Sequence, residues 1–221
     1  MANELDEMHP VINEQGRDIN VIEKQLPVTI GIGSTIFEIV LWLLGILPGL
    51  IFLLMKVKAK NYFQQLQQKI QHNASQIDNY LEQRVIILQN TAALVNKSVS
   101  LDKDVMTSIA ALRSGKNLTD EARPEVAGKV DTLFTRLNLS VESYPELKAH
   151  ASIADAMKQN SYLQKEITAA REVYNDSIFM WNKDIFDWPT KQIVAARAGY
   201  TTRIPFTASK EIKDKAKEVF F

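Results

Sequence analysis

Apolar residues are laid out along this chain in two ways. From Val28 to Met55 they run almost unbroken, VTIGIGSTIFEIVLWLLGILPGLIFLLM, with Glu38 as the single charge. A hydrocarbon core needs about 20 apolar residues in a helix, and Ile36–Met55 supplies that length. Beyond residue 57 the apolar positions recur every three or four residues: Leu66, Ile70, Ile77, Leu81, Val85, Leu88, Ala92, Val95 and Val99. Gln64, Gln65, Gln67, Gln68, Glu82 and Gln83 fall between them. The first pattern predicts a helix surrounded by lipid. The second predicts helices with one buried stripe.

The periodic part resolves into three long helices. Residues 57–114 contain no proline and, if continuous, span about 87 Å at the helical rise; Ser100-Leu101-Asp102 offers a local break. Gly115–Arg123 reads as a loop. A second helix covers about 122–143, with Val126, Val130, Leu133, Leu137 and Val141 on one face, and Tyr144-Pro145 ends it. A third covers about 151–187, burying Ile153, Met157, Leu163, Ile167, Ala170, Tyr174, Trp181 and Ile185, with Pro189 as its stop. Lys191–Ala198 adds a short helix capped by Gly199, and Tyr200–Phe206 is irregular. No alternating run suits a sheet. The predicted fold is all-α: an N-terminal transmembrane helix followed by an elongated antiparallel three- or four-helix bundle. The predicted segments are an acidic arm (1–27), the transmembrane helix (28–55), the bundle (56–206) and a charged tail (207–221).

Charge adds an orientation. Residues 1–27 hold six acids against Arg17 and Lys24, a net of −4, whereas residues 56–221 carry a net of +5. Lys56, Lys58 and Lys60 directly follow the apolar run. The positive-inside rule then places the bundle in the cytoplasm and the arm outside. The basic excess is too diffuse for a nucleic-acid stripe. Within the run, Glu38 sits near the outer end and is expected to reach the headgroups. Gly45 and Gly49 form a GxxxG pair suited to close helix approach, which with the membrane tether predicts a homo-oligomer. Pro48 predicts a kink; the alternative is a re-entrant hairpin turning at Pro48-Gly49.

Chemistry motifs are absent from the sequence. There is no cysteine, which removes thiol catalysis and thiolate metal sites. None of His9, His72 and His150 has more than one His, Glu or Asp at helical spacing, too few for a metal site, and no phosphate-binding glycine loop occurs. No metal, cofactor or catalytic residue is predicted, and the chain is read as a non-enzyme.

Several stretches nonetheless resemble one family. Ala74-Ser75-Gln76-Ile77-Asp78 with Leu81 and Arg84 resembles a helix signature of the LemA family. Val141-Glu142-Ser143-Tyr144-Pro145-Glu146-Leu147-Lys148-Ala149 resembles its V-E-x-Y-P-x-L-K-A connection. Glu166-Ile167, Ala170-Arg171, Tyr174-Asn175 and Asn182 resemble the helix that follows, and Trp188-Pro189 and Gly199-Tyr200 its exit. The resemblance runs from about residue 40 to 206. It implies a bacterial membrane protein with one N-terminal span and an antiparallel helical bundle, its short N-terminus outside, and no agreed enzymatic activity. Tyr144, Arg171, Tyr174, Asn175 and Asn182 form its polar face, of unknown role. A register-fixing network and a ligand groove are both open for that face, the network being favoured. The functional expectation is a membrane-anchored, non-enzymatic scaffold with the lipid bilayer and unidentified proteins as partners and no nucleic acid. The alternative is a ligand sensor or hydrolase using the Arg171–Asn182 face.

Overall fold

In a computed structural model the described residues are 25–98, 103–112, 122–148 and 150–206. The acidic arm up to residue 24, the Ser100-Leu101-Asp102 break, most of the Gly115–Arg123 loop and the 207–221 tail lie outside them. The described residues are mostly helical, with α1 Ile32–Leu43, α2 Ile46–Ser98, α3 Lys103–Leu112, α4 Ala122–Glu142, α5 Pro145–Lys148, α6 Ala151–Asp184 and α7 Thr190–Arg197. The extended structure among the described residues is an isolated bridge pairing Pro27 with Thr201. Two compact units divide the chain: residues 25–71 with Tyr174–Pro205, and His72–Val173 with Phe206.

The first unit corrects the single apolar helix expected over 28–55. That segment is broken at Leu44-Gly45, and Gly45 has φ +133°, a conformation that side chains other than hydrogen resist. Pro48 lies in the first turn of α2, where its missing N–H costs nothing, so it opens a helix instead of kinking one. Past the break the chain reverses. Phe37 meets Phe52 edge-on with centroids 5.6 Å apart, and Glu38 meets Lys56. A Cβ on Gly49 would come within 2.6 Å of the Trp42 ring. Pairings at 42–49, 37–52 and 38–56 define an antiparallel helical hairpin. The segment thus folds back on itself, as the alternative reading expects of the chain, with its turn one helical turn earlier than Pro48-Gly49. Both glycines of the GxxxG pair act inside the chain, Gly45 as the turn and Gly49 as the seat of Trp42. Among the described residues no helix is long and apolar enough to cross a membrane.

The foot of this hairpin is tied to the segment that follows α7. Leu26 N–H donates to Thr202 Oγ1 at 2.7 Å, Thr202 N–H to Leu26 O at 3.0 Å, and Val28 N–H to Tyr200 O at 3.2 Å. Gln192 Nε2 adds a bond to Thr29 O at 3.2 Å. Beneath lies an aromatic core in which Phe63, Trp181 and Tyr200 pack with centroids 5.0–5.6 Å apart. Trp181 Nε1 donates to Thr201 O, satisfying the one polar atom of a fully buried side chain. The helix α6 stops at Asp184, ahead of Pro189. Its exit tightens into i→i+3 bonds from Phe186 to Lys183 and Asp187 to Asp184, the usual way a helix end saves its carbonyls. As predicted, α7 follows, and Gly199 with φ +67° closes it.

The second unit is a helical bundle around Leu88, Ala92, Val95, Ile109, Leu133 and Leu137. Asn73 Nδ2 reaches Val173 O, and Arg84 reaches Asn160, so α6 runs antiparallel to α2. By contrast, Asp78 pairs with Arg123 and Arg84 with Asp131. Both contacts advance in the same sense along the two helices, so α4 runs parallel to α2. The expected antiparallel order omitted α3, which supplies the return leg. The 57–114 helix is likewise two elements, ending at Ser98 and resuming at Lys103.

Candidate functional site

The most deeply buried cation of the second unit sits on an apolar stripe. Positions 70, 77, 84 and 91 of α2 recur every seven residues and are all buried, yet the third is Arg84, 2% exposed. Its Nε donates to Asn160 Oδ1 at 2.8 Å and its Nη2 to Asp131 Oδ1 at 2.7 Å, while its guanidinium lies 5.4 Å from the Phe134 ring centroid. One turn and a half earlier, Arg123 binds Asp78 through both Nε and Nη2, at 2.6 and 2.8 Å. This fork geometry fixes orientation as well as charge. Arg84 thereby joins α2, α4 and α6 through one side chain.

In the first unit the Tyr62 hydroxyl donates to Asp184. Lys191 bridges Asp184 at 3.2 Å and Asp187 at 3.0 Å and lies over the Tyr62 ring. Burial, then the Asp184 hydrogen bond, push the Tyr62 phenol up to about 12. For Lys191, burial alone pulls the ammonium down, but its bonds to Asp187 and Asp184 outweigh this and raise it. Both groups are held in their neutral-pH protonation states. Tyr62, Asp184 and Lys191 together join α2, α6 and α7. Glu38 makes a similar joint: its Oε2 accepts from Arg197 at 2.8 Å and Lys56 at 3.4 Å. Its side chain is only 15% exposed, so it pairs within the protein instead of reaching for headgroups.

The residues marked in the sequence are divided between the units. Tyr144 stands exposed at the turn before α5, and Arg171 lies half-buried with its guanidinium 4.4 Å from the Phe206 centroid. Burial pulls Arg171 down from the ordinary arginine value, opposed by Asp131. Tyr174 is buried and Asn175 half-buried in the other unit. Asn182 makes a two-point bond with the backbone of Arg203, donating to its carbonyl at 2.8 Å and accepting from its N–H at 2.7 Å. Arg203 in turn lies over the Trp181 ring at 4.9 Å. Asn182 is thus a clamp on the 200–206 segment. His72 rests against Gln76 at 3.2 Å.

Arg84, Asp131, Asn160, Tyr62, Asp184 and Lys191 escaped the sequence reading as a polar set. Arg84 had a visible signal, a charge at a stripe position between Leu81 and Leu88, but its apolar neighbour Val85 filled the predicted stripe. Asp131 and Asn160 carry no comparable mark.

No curated protein matches the chain. The LemA family profile matches residues 73–221, a stretch that contains the Asp78, Arg84 and Arg123 joints, the Tyr144-Pro145 turn and the Asn182 clamp. The chain belongs to the LemA family.

Proposed function

We propose that this protein is a membrane-anchored, non-enzymatic scaffold whose helices present side chains to protein partners. The observation that carries the reading is where its polar and apolar groups are spent. Arg84, Arg171, Asn182, Tyr62 and Lys191 are all engaged by groups of the chain itself. Large apolar side chains instead face outward: Leu43, Leu44 and Ile46 on the hairpin, and Tyr162, Val173 and Phe179 on α6. Outward apolar positions on long helices serve contact with lipid or with other helices. The ligand-sensor or hydrolase alternative draws on the Arg171–Asn182 face, where Asn182 is already committed to Arg203.

Site-specific photocrosslinking tests the scaffold. A photoreactive phenylalanine at Phe179, in the full chain in native membranes, is expected to yield discrete protein adducts. The same group at Glu82, on an exposed polar face, is expected to yield far fewer. Equal or absent adducts at both positions overturn the reading. So does a turnover of any small molecule that Asn182→Ala abolishes while helicity is kept.

A further inference from the structure

We propose that the α1–α2 hairpin is a wedge that enters a lipid leaflet from one side and returns, leaving the N-terminal arm and the helical bundle on the same face of the membrane. The proposal rests on the membrane-anchor part of the reading above and replaces a single crossing by a monotopic insertion.

The first support is the tie at the hairpin's foot. Leu26 and Val28, before α1, are hydrogen-bonded to Thr202 and Tyr200, which follow α7. A chain that crossed once between residues 28 and 55 would hold those partners about 30 Å apart, the thickness of the hydrocarbon core. Hydrogen bonds of 2.7–3.2 Å leave no room for a bilayer between them.

The second support is the shape of the apolar surface. Between Glu38 and Lys56 only Gly49 and Phe52 are buried, against Trp42 and Phe37 of the paired helix, while Ile39, Val40, Leu50, Ile51, Leu53 and Leu54 around the rest of the hairpin are exposed. At the tip, Leu44 is 72% and Ile46 is 78% exposed, with Trp42, Leu43 and Leu47 beside them. A protein partner covers one face, whereas lipid covers all of them. From Glu38 to the turn at Leu44-Gly45 the helix rises about 10 Å, less than one leaflet and similar to the depth at which interfacial helices settle.

The third support is the border. Glu38, Lys56 and Arg197 form a charged collar at one level, with Lys58 and Lys60 following on α2. Exposed Trp188 packs against Phe37 beside it, with centroids 5.2 Å apart. Lys and Arg facing anionic headgroups and Trp at the water boundary are the usual rim of a lipid-inserted apolar body. The tip also hides its backbone. Leu44 N–H bonds to Val40 O at 2.9 Å and Gly45 N–H to Trp42 O at 3.3 Å. Pro48 removes one donor from the first turn of α2, where helix donors otherwise lack partners. Unsatisfied donors are what lipid tolerates least.

The chain has no cysteine, so single-cysteine variants of the full protein report cleanly. Gln15→Cys marks the arm and Lys158→Cys the exposed surface of α6. A membrane-impermeant maleimide is applied to intact cells and then to lysed cells. The hairpin requires both positions to be protected together or labelled together in the carbonate-resistant membrane fraction. Opposite behaviour, with the protein still resistant to carbonate, overturns the hairpin and leaves the anchor standing. Release of the unaltered protein by carbonate overturns the anchor itself. A second variant, Leu44→Asp, is expected to reduce retention on vesicles of phosphatidylethanolamine and phosphatidylglycerol about tenfold or more, with helicity unchanged. Unchanged retention places the tip outside lipid. Disulfide-linked pairs of Leu44→Cys in a soluble fraction assign the tip to a second copy, and the lipid wedge is then wrong.

Discussion

The two ends of α2 use the same kind of residue in opposite ways. Near its start, Leu50, Leu53 and Leu54 point outward, while further along Ile77, Leu81 and Leu88 are sealed inside. Conversely the buried stretch accepts Arg84, and the exposed stretch carries no charge between Glu38 and Lys56. Hydrophobicity alone therefore does not say which residues form the core of this protein. What separates the ends is the presence of partners. The later half has polar side chains between its leucines and other helices to cover the stripe. The early half has apolar residues all round and one short helix beside it, too little to cover them.

The contrast breaks or holds most sharply under a charge. Leu88→Arg puts an unpaired cation at a position that is 0% exposed, a penalty of several kcal/mol. Loss of the cooperative urea transition is expected, read by far-ultraviolet circular dichroism. Leu53→Arg, at a position that is 46% exposed, is expected to shift the same transition in detergent by less than about 0.5 kcal/mol. Equal damage from both would show that the early half of α2 is a packed core.

Arg84→Ala ranks next. It removes a buried cation and leaves Asn160 and Asp131 facing a cavity, so a loss of about 3 kcal/mol is expected from the urea midpoint. A loss below about 1 kcal/mol would mean that the joint between α2, α4 and α6 contributes little to the second unit.

How far the sequence reveals this arrangement differs between the same two regions. Helix positions are legible wherever polar residues interrupt the stripe: α4, α6 and α7 lie close to the predicted spans, and the all-helical class follows. In the 28–55 run there is no polar face to mark direction, so a spanning helix and a folded-back one read alike. Gly45 decides between them through a backbone angle, and glycine permits that angle without requiring it. The parallel course of α4 is hidden because no proline or glycine marks the break between α2 and α3, so the two read as one helix. Of the marked polar face, Asn182 is legible as a network residue only once Arg203 is beside it, 21 residues along the chain.

A smaller effect separates the clamp from a groove. Asn182→Ala removes two hydrogen bonds to Arg203, for which a loss of about 1–2 kcal/mol is expected. Amide exchange at Arg203 should rise with it, because its N–H loses the acceptor. Stability and exchange that both stay unchanged would return Asn182 to the list of residues free to meet a ligand.

The smallest effect is a slope in pH. Tyr62 is an acid whose phenol stands higher in the folded protein, about 12, than its ordinary value of 10.0. The folded state therefore holds its proton more tightly than the unfolded one. The stabilisation is complete below pH 10 and is lost as pH rises toward 12. Lys191 is also raised, and its contribution disappears in the same alkaline direction. Melting temperature should then fall between pH 10 and 12 more steeply in the unaltered protein than in Tyr62→Phe. The variant keeps the ring under Lys191 but has no phenol to ionise. Below pH 9 the variant should differ only by the lost bond to Asp184, with a constant offset. Parallel curves across the alkaline range would mean that Asp184 is held by Lys191 alone.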